Sequence, residues 1–220
     1  MNIIETVASA LTDIGYPAEK LKTAQIRQIS SEQYKQLNGY DIGFVFKQCE
    51  ALLSLRDWPF SLIAFDWAFR VKKQYTRDTF DIFEHWLFEY VTDWYDCDDF
   101  CTHAFGELIA QYNDLIIKTH LWTNHPNFAV RRAIAVVLIY PLNKNSCPID
   151  AVIQASELLM FDRHDLVQKG YGWALKVLSK HAPEEVISYL KNRHQTMPRV
   201  AFRYALEKLD KHVRNELMLL

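Results

Sequence analysis

Glycine is scarce in this chain, six residues in 220, and no Gly/Ser-rich linker divides it. Residues 1–220 therefore read as a single domain. No apolar run reaches the roughly 20 residues that a bilayer-spanning helix needs, so no membrane partner is expected. The opening stretch MNIIETVASALTDIGY lacks the basic leader of a secretory signal and reads as an amphipathic helix. Four cysteines (Cys49, Cys97, Cys101, Cys147) lack the spacing of a disulfide framework, and reduced thiols in a cytoplasmic compartment are the expectation. No segment alternates with period two for long enough to be a strand. Nothing calls for a metal, a nucleotide cofactor or an oligomer interface, and a monomer is expected.

What is present is helical periodicity over nearly the whole length. Half of the residues are hydrophobic and 14% are aromatic, which excludes a disordered chain. The pattern predicts helices near 2–14, 23–37, 43–55, 58–74, 77–91, 98–112, 127–140, 149–160, 164–181, 184–194 and 198–218. Pro59 and Pro183 fall in first turns, where proline fits, while Asn38-Gly39 and Pro141 read as stops. The fold class predicted is all-α, with antiparallel helix pairs stacked into a solenoid that curves around a concave groove.

Net charge is −2, but it is unevenly spread. Residues 1–100 hold 10 Lys/Arg and 16 Asp/Glu, residues 101–220 hold 15 and 11, and Arg163 to Arg203 holds eight basic and three acidic residues. The second half thus carries a positive field of the kind that meets phosphates, with ordinary solvated helix faces as the plainer alternative.

Three placements stand out. In TDWYDCDDFC, residues 92–101, Trp94 precedes Asp98 by four, at the expected mouth of a helix. The aspartates 93, 96, 98 and 99 do not form a calcium loop, because Phe100 and Cys101 stand where an oxygen ligand and a glycine belong. Capping accounts for one or two of them. Cys97, Cys101 and His103 lack the further ligand a structural zinc would want, and packing on a buried face explains the cysteines.

The second placement is Arg131-Arg132 in the apolar stretch NFAVRRAIAVVLIY. About 100° apart around the axis, the two cannot share a role. Either a buried ion pair or a phosphate gripped by a guanidinium fork would satisfy them. The third is the stripe Lys169, Trp173, Lys176 and Lys180, opposite a core face of Val167, Tyr171, Ala174 and Leu178. An aromatic among lysines suits a sugar or base beside a phosphate backbone, unless lysine stems merely cover the indole. Arg199 and Arg203 extend this basic surface. Asp98 to Arg132 is 34 residues and Arg132 to Trp173 is 41, each the length of one helix-pair repeat.

Trp94-x-x-x-Asp98, Arg132 in AVRRAIAV, Gln168 to Lys176 in QKGYGWALK, and Arg203-Tyr204-Ala205 together resemble the AlkD-like DNA alkylation-repair glycosylases, proteins of HEAT-like repeats. The similarity spans about residues 22–210. Lys22 to Arg27 is similar to the family's opening motif without its proline. The resemblance implies excision of positively charged N3- or N7-alkylated purines from double-stranded DNA, without burying the base in a pocket. It implies Trp94 and Trp173 against the deoxyribose, Asp98 facing the anomeric carbon, and Arg132 holding the neighbouring phosphate. Arg131, Lys169, Lys176, Lys180, Arg199 and Arg203 would be further DNA contacts.

These residue types fit that chemistry. A cationic purine needs no general acid. A carboxylate about 4 Å from the charge growing on the sugar contributes up to ~4 kcal/mol at an effective dielectric near 20, roughly a thousandfold in rate. A helix N-terminus is expected to keep Asp98 ionised. The alternatives are a non-catalytic paralogue that binds bent or branched DNA, and a helical-repeat scaffold for a protein partner.

Overall fold

The computed structural model describes residues 3–220, and every regular element among them is helical. The expected start of the first helix at residue 2 lies outside the described residues. The α-helices are α1 Ile3–Asp13, α2 Thr23–Tyr34, α3 Ile42–Leu53, α4 Trp58–Arg70, α5 Thr79–Tyr90, α6 Trp94–Cys101, α7 Ala104–Gln111, α8 Ile116–Thr119, α9 Phe128–Val136, α10 Ile139–Asn143, α11 Ile149–Leu159, α12 Asp165–Leu178, α13 Pro183–Arg193, α14 Arg199–Leu206 and α15 Lys211–Met218. No helix among the described residues is long and apolar enough to cross a membrane.

Several expected helices are broken in two, each for a local reason. The stretch 98–112 splits because Thr102 Oγ1 turns back to the Asp98 carbonyl (2.7 Å) and His103 leaves helical geometry. The helix also starts four residues earlier than expected, with Asp93 as its cap. The stretch 198–218 splits at Asp210, whose carboxylate accepts from the His212 amide (2.8 Å) and starts α15. The stretch 127–140 gives way after Val136 to α10, and Pro141 lies in the first turn of α10, where its missing N–H leaves no bond unmade. Residues 113–124, expected to be irregular, form α8 between two 3-10 turns. At Asn38-Gly39 the chain stops as expected, with Gly39 at φ +88°.

Six helices form a continuous series in which each packs on the next: α2, α4, α6, α9, α12 and α14. Sequence neighbours pair alongside it, α1 with α2, α3 with α4, and α11 with α12. Helices α4 and α9 are buried nearly all round, and apolar side chains from Ile3 to Leu217 form one core. The series sets the order of three elements that matter below: α6, α9 and α12 are consecutive layers.

Candidate active site

Helix α6 starts at Asp93, which accepts a hydrogen bond from the Trp94 amide (2.6 Å). Cys97, Phe100 and Cys101 form its inward face, with Phe100 stacked on Phe65 of α4 at 4.4 Å between ring centroids. Both cysteines are fully buried free thiols, as packing predicts. Burying that face turns Trp94 and Tyr95 to the surface, where they meet edge to face at 5.9 Å.

The four aspartates then go four ways. Asp93 is the cap. Asp96 is buried with no cation bonded to it among the described residues, and its pKa is pushed up to about 7, mainly by burial and then by Asp99 and Asp93. Asp99 pairs with Arg27, which also reaches Asp66 at 3.2 Å, and His103 stands nearby. Asp98 pairs with Arg132.

That last pair is the centre of the site. Asn127 starts α9 by accepting from the Ala129 amide (2.8 Å), and Arg132 sits in its second turn, almost wholly buried. Its Nε donates to Asp98 Oδ1 at 2.8 Å and Nη2 donates to Oδ2 at 2.9 Å. Nη1 donates to the Leu166 carbonyl in the first turn of α12. One guanidinium thus ties three layers together through charge-assisted bonds. Gly170 makes this possible: a Cβ there would lie 3.1 Å from Arg132 Cγ and 3.3 Å from Nη1. Two residues on, a Cβ at Gly172 would lie 2.7 Å from the Ala201 carbonyl, so α12 and α14 can close only on hydrogen.

Asp98 is not at a helix N-terminus; it is the fifth residue of α6, and Asp93 holds the cap. The expectation that the helix end keeps it ionised is therefore corrected. Burial raises its pKa, and the Arg132 hydrogen bonds and charge pull against that, with the net direction upward. Arg132 is corrected too. Its fork grips a carboxylate rather than standing free for a phosphate, because α9 buries it against α6 and α12.

Trp94, Asp98, Arg132, Lys169, Trp173 and Lys176 all line one cavity of about 340 Å³, together with Leu166 and Tyr204. Trp173 is half-buried, packed partly on the core. Lys169 holds Asp165 at 2.7 Å and Lys176 holds Glu207, so each lysine carries a surface carboxylate into the rim. Tyr204 and the Leu166 carbonyl were not legible as site groups, although Tyr204 stood inside the Arg203-Tyr204-Ala205 motif.

The remaining basic residues do not line this cavity. Arg131 faces away and is fully engaged: Nε bonds Asp162 at 2.6 Å, and Nη1 bonds the His125 and Pro126 carbonyls at 2.7 and 3.0 Å. The ion-pair alternative holds for it, and a role as a DNA contact does not fit these bonds. Lys180 lies beyond the end of α12 at Leu178 and is exposed, which cuts it from the helical stripe. Arg199 lies over Phe202 at 5.0 Å, and Arg203 is exposed on the same helix.

A carboxylate, two indoles and a fixed guanidinium on one cavity can stabilise a cation there. They offer no nucleophile activated by a base.

A family model described as DNA alkylation repair enzyme matches residues 19–209. Among solved structures, one from Enterococcus faecalis described as a predicted DNA alkylation repair enzyme is similar at 17% identity, with a TM-score of 0.76 over 94% of this chain and 96% of that one. AlkD2 from Streptococcus mutans is similar at 19% identity, with a TM-score of 0.68 over 94% and 99%. No curated protein matches in sequence.

Proposed function

Because this chain belongs to the DNA alkylation repair enzyme family, we propose that it is a DNA glycosylase acting on positively charged N3- and N7-alkylated purines in double-stranded DNA. The observation that supports this most is the Arg132–Asp98 pair in the cavity that Trp94 and Trp173 also line. A pure phosphate binder would not place a carboxylate in its groove, where it repels the backbone.

The chemistry follows from charge. As the glycosidic C–N bond breaks, its electron pair goes to the purine nitrogen and cancels the lesion's positive charge. Positive charge then grows on the sugar ring, and water adds to the anomeric carbon with loss of a proton. In this reading the Asp98 charge stabilises that sugar and orients the water. The indole faces of Trp94 and Trp173 add attraction for the cation. Arg132 is a positioning residue: it holds both Asp98 oxygens and favours the ionised form. Lys169 and Lys176 sit at the rim for the backbone phosphates, which would displace Asp165 and Glu207 from them. Exposed Arg203, Arg199 and Lys180 extend the phosphate-binding surface.

The test is release of 7-methylguanine and 3-methyladenine from methylated duplex DNA by the wild type and by Asp98→Asn. Release with loss of about a thousandfold in the variant supports the reading. Tight DNA binding with no release by the wild type would instead indicate the non-catalytic binder.

A further inference from the structure

Arg27 does for one side of α6 what Arg132 does for the other. From α2 its Nη1 reaches Asp66 of α4 at 3.2 Å and its Nη2 donates to Asp99 of α6. It thus ties the layers α2, α4 and α6, as Arg132 ties α6, α9 and α12. The two guanidiniums end on neighbouring residues, Asp98 and Asp99, about 100° apart around the helix. The far end of the Arg27 grip is anchored. Asp66 Oδ2 also accepts from Arg70 Nε at 2.8 Å and from Ser30 Oγ, and Trp67 Nε1 of α4 donates to the Ser30 carbonyl of α2 at 3.0 Å. Helices α2 and α4 therefore form a frame from which Arg27 holds α6. The side chains of Arg27, Asp66 and Asp99 are mostly shielded from water, so solvent ions screen these pairs little.

We infer that Arg27 is a positioning residue for Asp98: by holding Asp99 it sets the rotation of α6 that presents the neighbouring carboxylate to Arg132 and the cavity. Its effect on rate rests on the glycosylase reading above; the coupling between the two ion pairs does not. Helix α6 has eight residues, little more than two turns. Its buried face of Cys97, Phe100 and Cys101 holds it against the core, but apolar attraction has no direction, whereas a charge-assisted bond has one. One guanidinium pulls α6 towards α9 and the other pulls it towards α2, and together they fix its rotation. Side-chain groups lie roughly 5–6 Å from a helix axis, so turning α6 by about 10° carries the Asp98 carboxylate about 1 Å. A misplacement of about 1 Å can cost on the order of a hundredfold in rate.

The experiment has two readouts on the same variants. The first is solvent exchange of the Arg132 Nε–H, followed by nitrogen-15 NMR, because that proton is the one donated to Asp98 Oδ1. Arg27→Lys keeps the charge that Asp66 and Asp99 need but loses the fork, so the fold is retained and the proton should exchange about tenfold faster. Arg70→Gln removes the other cation from Asp66 without touching α6, and should leave the exchange unchanged. The second readout is base release from methylated duplex at saturating enzyme. Arg27→Lys should slow release about tenfold with duplex affinity within about twofold, and should cost nothing more when added to Asp98→Asn. Unchanged exchange in Arg27→Lys, an equal change in Arg70→Gln, or a loss of rate that adds to that of Asp98→Asn overturns the inference. So does unchanged release by Arg27→Lys when the wild type is active. A wild type that releases no base sinks the glycosylase reading and leaves the exchange rates to decide on Arg27; release with unchanged exchange does the reverse.

Discussion

The guanidinium of Arg132 meets the Asp98 carboxylate edge to edge, Nε to Oδ1 at 2.8 Å and Nη2 to Oδ2 at 2.9 Å, with both side chains largely shielded from water. Removing the cation leaves a buried acid uncompensated. Arg132→Met is expected to lower stability by about 3–5 kcal/mol. Arg132→Lys keeps the charge without the fork, and should retain fold and part of the activity. Denaturant melts and base-release rates on both variants check this.

The pH dependence of base release follows from the same pair. In the proposed reaction Asp98 must be ionised to stabilise the sugar, and burial sets its pKa above the ordinary carboxylate value despite Arg132. The ionised fraction grows as pH rises through the folded pKa, so the rate should climb on an acid limb shifted upward from that of a free aspartate. Arg132→Lys should move the limb further up, because the bidentate bonds that lower the pKa are lost. A limb that stays put in the variant would contradict the role given to Arg132.

Asp96 makes a separate, purely thermodynamic prediction. Its pKa rises from 3.8 to about 7 on folding, so the folded state holds a proton that the unfolded state has released. The favourable contribution is complete below the unfolded value and is lost as pH rises towards and through about 7. The wild type should therefore melt lower as pH increases across that window. Asp96→Asn should flatten the slope and be more stable on the alkaline side, by at most about 4 kcal/mol.

Salt titrations separate Arg131 from the exposed cations. If Arg203 or Lys180 touches phosphate, its replacement by alanine lowers the magnitude of the log Kd against log salt slope by about one. Arg131→Ala should leave that slope unchanged and instead destabilise the fold by about 3 kcal/mol, since Asp162 loses its partner.

The two glycines of α12 should fail differently. Gly170→Ala presses on Arg132 and is expected to reduce base release about tenfold with the fold intact. Gly172→Ala meets the Ala201 backbone and should cost about 1–3 kcal/mol in stability. Rates and melting temperatures for the pair distinguish site from scaffold.

Much of this was legible in the sequence, for identifiable reasons. Helical period and scarce glycine gave the all-helical fold, and the Val167, Tyr171, Ala174, Leu178 face is buried as the spacing requires. Trp94, Asp98, Arg132, Lys169, Trp173 and Lys176 do share one cavity. Other features depend on which helix lies next to which. Capping could account for one or two of the aspartates 93, 96, 98 and 99, and only the burial of Cys97, Phe100 and Cys101 decides where α6 begins. Arg131 finds Asp162, a partner 31 residues away that no local pattern marks. A cavity of about 860 Å³ beside Trp58, Trp94 and Tyr95 was not legible, because Trp58 beside Pro59 reads only as a helix start. The available signal is Tyr95, which helical spacing sets opposite the Cys97, Phe100 and Cys101 face.

Each of α6, α9 and α12 brings side chains to the cavity, and packing together with the bonds of Arg132 to Asp98 and Leu166 holds the layers against one another. If the proposed activity holds, the rate of base release is thereby a gauge of how those layers seat. Trimming buried side chains between layers, such as Ala133→Gly or Phe100→Leu, should register in turnover before it registers in the fraction folded.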